Sequence, residues 1–217
     1  MNHLSHARLA LHDPWLLAGT QLPDWLGACD RRARVCRDLV DEAAASGARP
    51  DRALARGVQM HLDDDRWFHG TLAFEEVNRE LTQRIRDAFP EHRRLRASFI
   101  GHVLLEMLLD AHLMETWPGI LDRYYTALHA LDVMQVQQRA AALCRSKADR
   151  LHVLIQRFRT TEFLRGYVDD EGVVRRLDGL LARVRQPPLP PGFAALVPAS
   201  RSFVRARAHA LLTPPPA

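Results

Sequence analysis

Apolar positions recur every three to four residues along most of this chain, and nowhere do they settle into the two-residue rhythm of a strand. That pattern predicts an all-α fold, and turn signals divide it into elements. A short N-terminal helix is expected over residues 2–11, ending near Asp13-Pro14 because proline keeps the residue before it out of the helical region. Residues 15–26 read as short helix and turn, and residues 34–45 as a helix closed by Ser46-Gly47. Asp51 is placed to cap a helix that ends near Gly70, and Thr71 to cap the next, which stops at Phe89-Pro90. A helix over 97–117 follows and is broken by Trp117-Pro118-Gly119. Shorter helices are expected over 118–130, 132–143, 148–158, 161–167 and 170–185. QPPLPPG at 186–192 is a stiff connector. A last helix spans 193–212, and 213–217 form a disordered tail. The expected organisation is a single compact domain over 1–185 with the last helix packed back on it, since roughly twenty residues cannot build a core of their own.

The 97–117 helix is apolar nearly all round except for His102, Glu106 and Asp110. These lie four residues apart, so they stack on one face of a helix whose other positions predict burial. Carboxylates in such a place need cations, protons or a metal. A second triplet with the same spacing, His61, Asp65 and His69, lies in GVQMHLDDDRWFHG. His61 with Asp65, and His102 with Glu106, each offer two hard ligands from one rigid helix, a pattern that suits divalent metal ions. Two such pairs predict an enclosed site for one or two metals. Taken alone, His61 and Asp65 are better explained as part of a surface acidic run, because Asp63 and Asp64 flank them. Asp110 reads as a ligand, as an acceptor for a ligand histidine's N–H, or as an arginine partner. His69 reads as a third ligand, as a proton donor, or as a histidine favoured by the helix end. His112 points away from the stripe and reads as an outer residue, and His92, His129, His152 and His209 as surface residues. His12-Asp13 spells a dyad but precedes a proline that ends a helix.

Composition narrows the classes. The apolar content of 47% over 217 residues supports a substantial core. Three cysteines without a C-x2-C pair argue against a disulfide framework and a cysteine zinc site. No signal-peptide pattern is evident, and the longest apolar run, around residues 100–114, reads as too short and too charged for a membrane span, so the expected location is cytoplasmic. Net charge is +4, carried by arginine apart from Lys147, with clusters at 31–37, 93–96 and 201–207. Solvated helix faces account for them, and a surface for an anionic partner is the functional alternative. No nucleic-acid module motif is present, which makes DNA or RNA an unlikely partner.

Short segments also resemble two families. MNHLSHARLAL resembles the opening of the acyl carrier protein phosphodiesterase family, LLAGTQLPDWLG its glycine-to-aspartate segment, and GVQMHLDDD its helix G-I-x-M-H-R-x-I-D. HVLLEML stands where that family has D-V-x-x-D-H-F, with Met107 in place of a histidine. Pro23-Asp24 and Gly101-His102 to Glu106 are similar to motifs of the helical zinc-dependent phospholipase C and nuclease superfamily. The resemblance covers residues 1–117. It implies metal ligands His6, Asp24, His61, Asp65, His102 and Glu106, holding manganese, zinc or iron. It also implies hydrolysis of a phosphodiester substrate, with acyl carrier protein as a partner that a basic surface would steer. Without it, His6 reads as a packed residue and Asp24 as a helix cap.

The leading expectation is a metal-dependent phosphodiesterase using metal-bound hydroxide, with His69 or Asp110 assisting proton transfer. Its rival is a non-catalytic helical protein that binds an anionic partner through arginine-rich faces and pairs His102, Glu106 and Asp110 with arginines. A nucleotide phosphohydrolase of the His-Asp type rests mainly on the His12-Asp13 dyad.

Overall fold

The computed structural model describes residues 1–30, 32–145 and 149–214. Among them the chain is all-α, and its only bridge outside helices is an isolated antiparallel pairing of Val35 with Cys144. The α-helices are α1 (His3–Ala7), α2 (Pro14–Cys29), α3 (Arg37–Ser46), α4 (Arg49–His69), α5 (Leu72–Ala88), α6 (Ala97–Thr116), α7 (Ile120–His129), α8 (Val133–Ala142), α9 (Leu151–Thr161), α10 (Asp170–Arg183), α11 (Val197–Arg205) and α12 (Ala208–Leu212). Two 3-10 helices, Phe163–Val168 and Phe193–Leu196, complete the described elements.

Local chemistry explains where these elements depart from the pattern. α1 ends at Ala7, not Leu11, because turns from Ala10 N–H to Ala7 and from Asp13 N–H to Ala10 replace the helix. They deliver Asp13 as the cap of α2, accepting from Trp15 and Leu16 N–H at 2.9 and 3.3 Å, with Pro14 in the first turn. α2 then runs unbroken through Pro23, where short helix and turn were expected, although proline there removes the N–H that would reach back to Gly19 and its ring crowds that carbonyl. α4 begins at Arg49, so Asp51 lies inside its first turn and takes Arg139 instead of capping. The expected helix over 161–167 is a 3-10 turn, because Glu162 (φ 40°) closes α9 in the left-handed region. The expected last helix breaks at Leu196, where α11 starts with a proline in its first turn, and again after Arg205. Thr71 caps α5 as predicted, accepting from Phe74 N–H. Arg31 of the first arginine cluster, residue 148 of the expected helix and residues 215–217 of the expected tail lie outside the described residues.

Contacts divide the chain into two compact units. One comprises residues 3–66 and 119–163, hence α1, α2, α3, most of α4, and α7 to α9. Its core holds Trp25, Tyr124 and Phe158, and the Tyr124 hydroxyl donates to Gln21 Oε1 at 3.0 Å.

The other unit comprises residues 1–2, 67–118 and 164–217. Here α6 is central: α5 packs along it, and α10 and α11 cover it further. Gly101 permits the α5 contact, since a Cβ there would stand 3.1 Å from Thr82 Oγ1. Arg201 of α11 fastens the C-terminal segment, donating to Asp170 Oδ1 at 2.9 Å and to the Tyr167 carbonyl at 3.1 Å. α6 has 20 residues, so its length and composition meet the requirement for a membrane span, contrary to the expectation that it is too short. Protein covers most of it instead: 61% of its most apolar stretch is buried.

Two candidate metal centres

The first group forms in the α2–α4 unit. α2 and α4 touch backbone to backbone where Gly19 meets Gly57: a Cβ on either glycine would stand 2.1 Å from a carbonyl oxygen of the facing helix. Two glycines therefore permit a crossing that any side chain would push apart. The crossing lays the Thr20 carbonyl on His61 Nδ1 at 2.8 Å. A carbonyl only accepts, so Nδ1 carries a proton, and the lone pair of the neutral imidazole is then the one at Nε2. That Nε2 stands 3.4 Å from Asp65 Oδ2.

His6 of α1 repeats the arrangement. Its Nδ1 donates to Asp64 Oδ2 at 3.4 Å, and its Nε2 faces Asp65 Oδ1 at 3.2 Å. The two imidazoles stack with centroids 3.9 Å apart. His6 is 1% and His61 3% exposed, which removes the surface reading of His61. His6 Nε2 is buried without a hydrogen-bond partner among the described residues. Two lone pairs thus converge on the two oxygens of one carboxylate, and such a set is closed only by protons or by a cation. Ligands held about 2.1 Å from a shared ion stand roughly 3–4 Å apart, and the distances here fall in that range.

Protons take the position when no ion does. Burial alone would lower the His6 pKa, but Asp64 and Asp65 outweigh it and hold it above the ordinary 6.5. Burial would raise that of Asp65, but contacts from His6 and His61 bring it far below the usual carboxylate range.

The second group lies in the α5–α6 unit. His69, at the end of α4, and His102 both direct Nε2 at Glu106 Oε1, at 3.3 and 3.1 Å. The Met1 amino group reaches the same oxygen at 3.1 Å. The turn at Gly70-Thr71 sets Phe74 edge-on to both histidine rings, with centroids 4.9 and 5.1 Å away. Burial raises the Glu106 pKa, yet His102, His69 and the amino group bring it well below the ordinary 4.5. The α6 stripe is graded from surface to core: His102 is 36% exposed, Glu106 15% and Asp110 0%.

In each group the three ligand atoms lie within 4.8 Å of one another, so each could hold a metal ion. The structure brings together His6, His61 and Asp65, and separately His69, His102 and Glu106. It does not bring Asp24 into either. Asp24 lies inside α2, not at its cap, and 3.9 Å from the Nδ1 of His3, which is itself held by Gln21 and edged by Phe158. Asp110 lies outside the second group. Burial and the Asp110 charge push Tyr167 up to about 12, against the opposing influence of Arg176 and Asn2. His112 is not an outer residue throughout, since its Nδ1 is buried. Asp64 and Thr20 were missed as the groups that orient the histidines. The three-aspartate run held the only signal for Asp64, and Thr20 acts through a backbone carbonyl that leaves none.

The pKa directions give a stability prediction for the metal-free protein. Asp65 and Glu106 have folded pKa values below their ordinary 3.8 and 4.5, so their contribution is complete above those values and is lost as pH falls. His6 is raised, so its contribution is complete below 6.5 and is lost as pH rises. Urea unfolding of metal-free protein should show greatest stability between about pH 4.5 and 6.5. Added zinc should extend that plateau upward, because the metal displaces the same protons. A metal-free plateau reaching about pH 8 would contradict the arrangement.

No protein-family model matches the chain, and no curated protein and no solved structure does so either.

Proposed function

We propose that the protein binds divalent metal ions at both groups of two histidines and one carboxylate, and uses them to hydrolyse a phosphoric ester, most simply a phosphodiester. One observation carries this reading: two buried imidazoles, each with its Nδ1–H engaged by a protein acceptor, aim Nε2 at one carboxylate. Outer acceptors of this kind are what metal-bound histidines require, because they set the tautomer and increase ligand basicity. The donor set of imidazole and carboxylate suits zinc, manganese or iron.

His6, His61 and Asp65 would hold one ion, and His69, His102 and Glu106 another. A bound divalent ion supplies Lewis acidity toward phosphoryl oxygens and acidifies water. The chain's own residues do the rest. Thr20 and Asp64 keep the rings of the first group in one tautomer. Phe74 walls the histidines of the second group. His69 and His102, 34% and 36% exposed, are the members of their group open to a substrate.

The non-catalytic alternative has less support at Glu106, which is met by two histidines and an amino group where that reading expects an arginine. Acyl carrier protein as the substrate rests on the resemblance of residues 1–117 alone.

Elemental analysis of natively purified protein, paired with hydrolysis of bis(p-nitrophenyl) phosphate, tests the reading. Two equivalents of transition metal are expected, with activity lost on chelation and restored by zinc, manganese or iron. Glu106→Gln should bind one equivalent fewer and lose activity by at least about a hundredfold, since loss of an outer partner alone costs roughly 10–100-fold. Protein that takes up no metal would defeat the proposal.

A further inference from the structure

Beside His69 a groove of about 500 Å³ opens along α5. Its lining includes His69, Thr71, Asn78, Arg79, Arg86 and Ser98, and its volume is in the range of small-molecule sites. Most of its side chains are polar, which does not suit an apolar ligand. Arg79 and Arg86 lie seven residues apart on α5, two helical turns, and so share a face.

Neither arginine has an ion-pair partner among the described residues, whereas the neighbouring Arg84 is paired with Glu80 at 2.8 Å. The Ser98 hydroxyl likewise has no hydrogen-bond partner among them. Thr71 and Thr82, by contrast, donate their hydroxyl protons to the carbonyls of Phe68 and Asn78. Glu75 also lines the groove, and two guanidinium groups outweigh its single carboxylate. A guanidinium offers a planar fork of donors that matches phosphate oxygens two at a time. The groove therefore combines two available cationic donors and an available hydroxyl with an end at a candidate metal ligand.

We propose that this groove is an anion subsite, in which Arg79, Arg86 and Ser98 bind a phosphate group of the substrate that is not the one being cleaved. The substrate class is then a molecule carrying a terminal phosphomonoester beyond its scissile ester. As a substrate subsite this rests on the hydrolase reading, but anion binding by the arginines does not require metal.

The test separates the two. Chelator-treated protein is titrated calorimetrically at low ionic strength with inorganic phosphate. Saturable one-to-one binding is expected, weakened at least tenfold in Arg79→Gln and in Arg86→Gln and unchanged in His102→Ala. Both arginines are exposed, so the variants should keep wild-type helicity by circular dichroism. Glycerol 3-phosphate in one arm, and vesicles containing phosphatidic acid in another, distinguish a soluble phosphomonoester from a lipid-borne one. An arginine-dependent signal in either arm supports the subsite. Absence of binding by wild-type protein, or equal binding by all the variants, overturns it whatever the metal analysis shows.

Discussion

His61→Ala is expected to reduce bound metal from two equivalents to one and to weaken what remains at the first group by at least about a hundredfold. The magnitude follows because even an outer partner of a ligand histidine is worth roughly 10–100-fold in affinity, and His61 would be a ligand itself. The substitution also leaves the Thr20 carbonyl without its 2.8 Å donor and removes the ring stacked on His6. That carbonyl keeps its place in the α2 helix, so the lost hydrogen bond costs about 0.5–1.5 kcal/mol. Elemental analysis and urea unfolding, each with and without zinc, read the two effects separately. Zinc should stabilise wild-type protein more than the variant. A variant with unchanged stoichiometry would remove His61 from the ligand set, whatever its stability.

Gly57→Ala should disturb the first group without touching any of its side chains. The new methyl would stand 2.1 Å from the Leu16 carbonyl oxygen and 2.7 Å from Gly19 Cα, both backbone atoms with no rotamer to yield. α2 and α4 must separate, and overpacking of this kind typically costs about 1–3 kcal/mol. Because both partners are backbone, about 3 kcal/mol is the expected loss. Separation would also draw the Thr20 carbonyl away from His61, so metal affinity at the first group should fall together with stability. Gly27→Ala, with open space around it, is the control. It should leave metal affinity unchanged and raise stability by about 0.5–1 kcal/mol, as alanine for glycine inside a helix does. If Gly57→Ala lost stability while keeping full metal affinity, the crossing would not be what orients His61.

Much of the fold was legible because its signals are local. Thr71 precedes α5 at capping distance, and the Trp117-Pro118-Gly119 break ends α6 where expected. The stripe of His102, Glu106 and Asp110 was legible from spacing, as was the His61–Asp65 pair. Spacing could not say which partners close each group. His69 belongs with His102 and Glu106, although the sequence places it one turn beyond Asp65. Asp24 matched a motif, yet α2 continues past Pro23 and leaves it near His3. The orienting carboxylate for His6 is Asp64, which shares no helix with it and no spacing rule. Such pairings arise from tertiary packing, and a single chain read by periodicity does not carry them.

The burial of α6 has a consequence for the order in which the chain is made. α6 is complete at Thr116, but α11, one of the helices that cover it, begins only at Val197. At roughly 5–20 residues per second, about 4–16 s separate the two on the ribosome. During that interval a stretch apolar enough to cross a membrane lacks much of its final cover. α5 is already synthesised and packs along α6 through Gly101. A helical hairpin of α5 and α6, formed early, would be the nascent chain's first protection against aggregation or misrouting to a lipid surface.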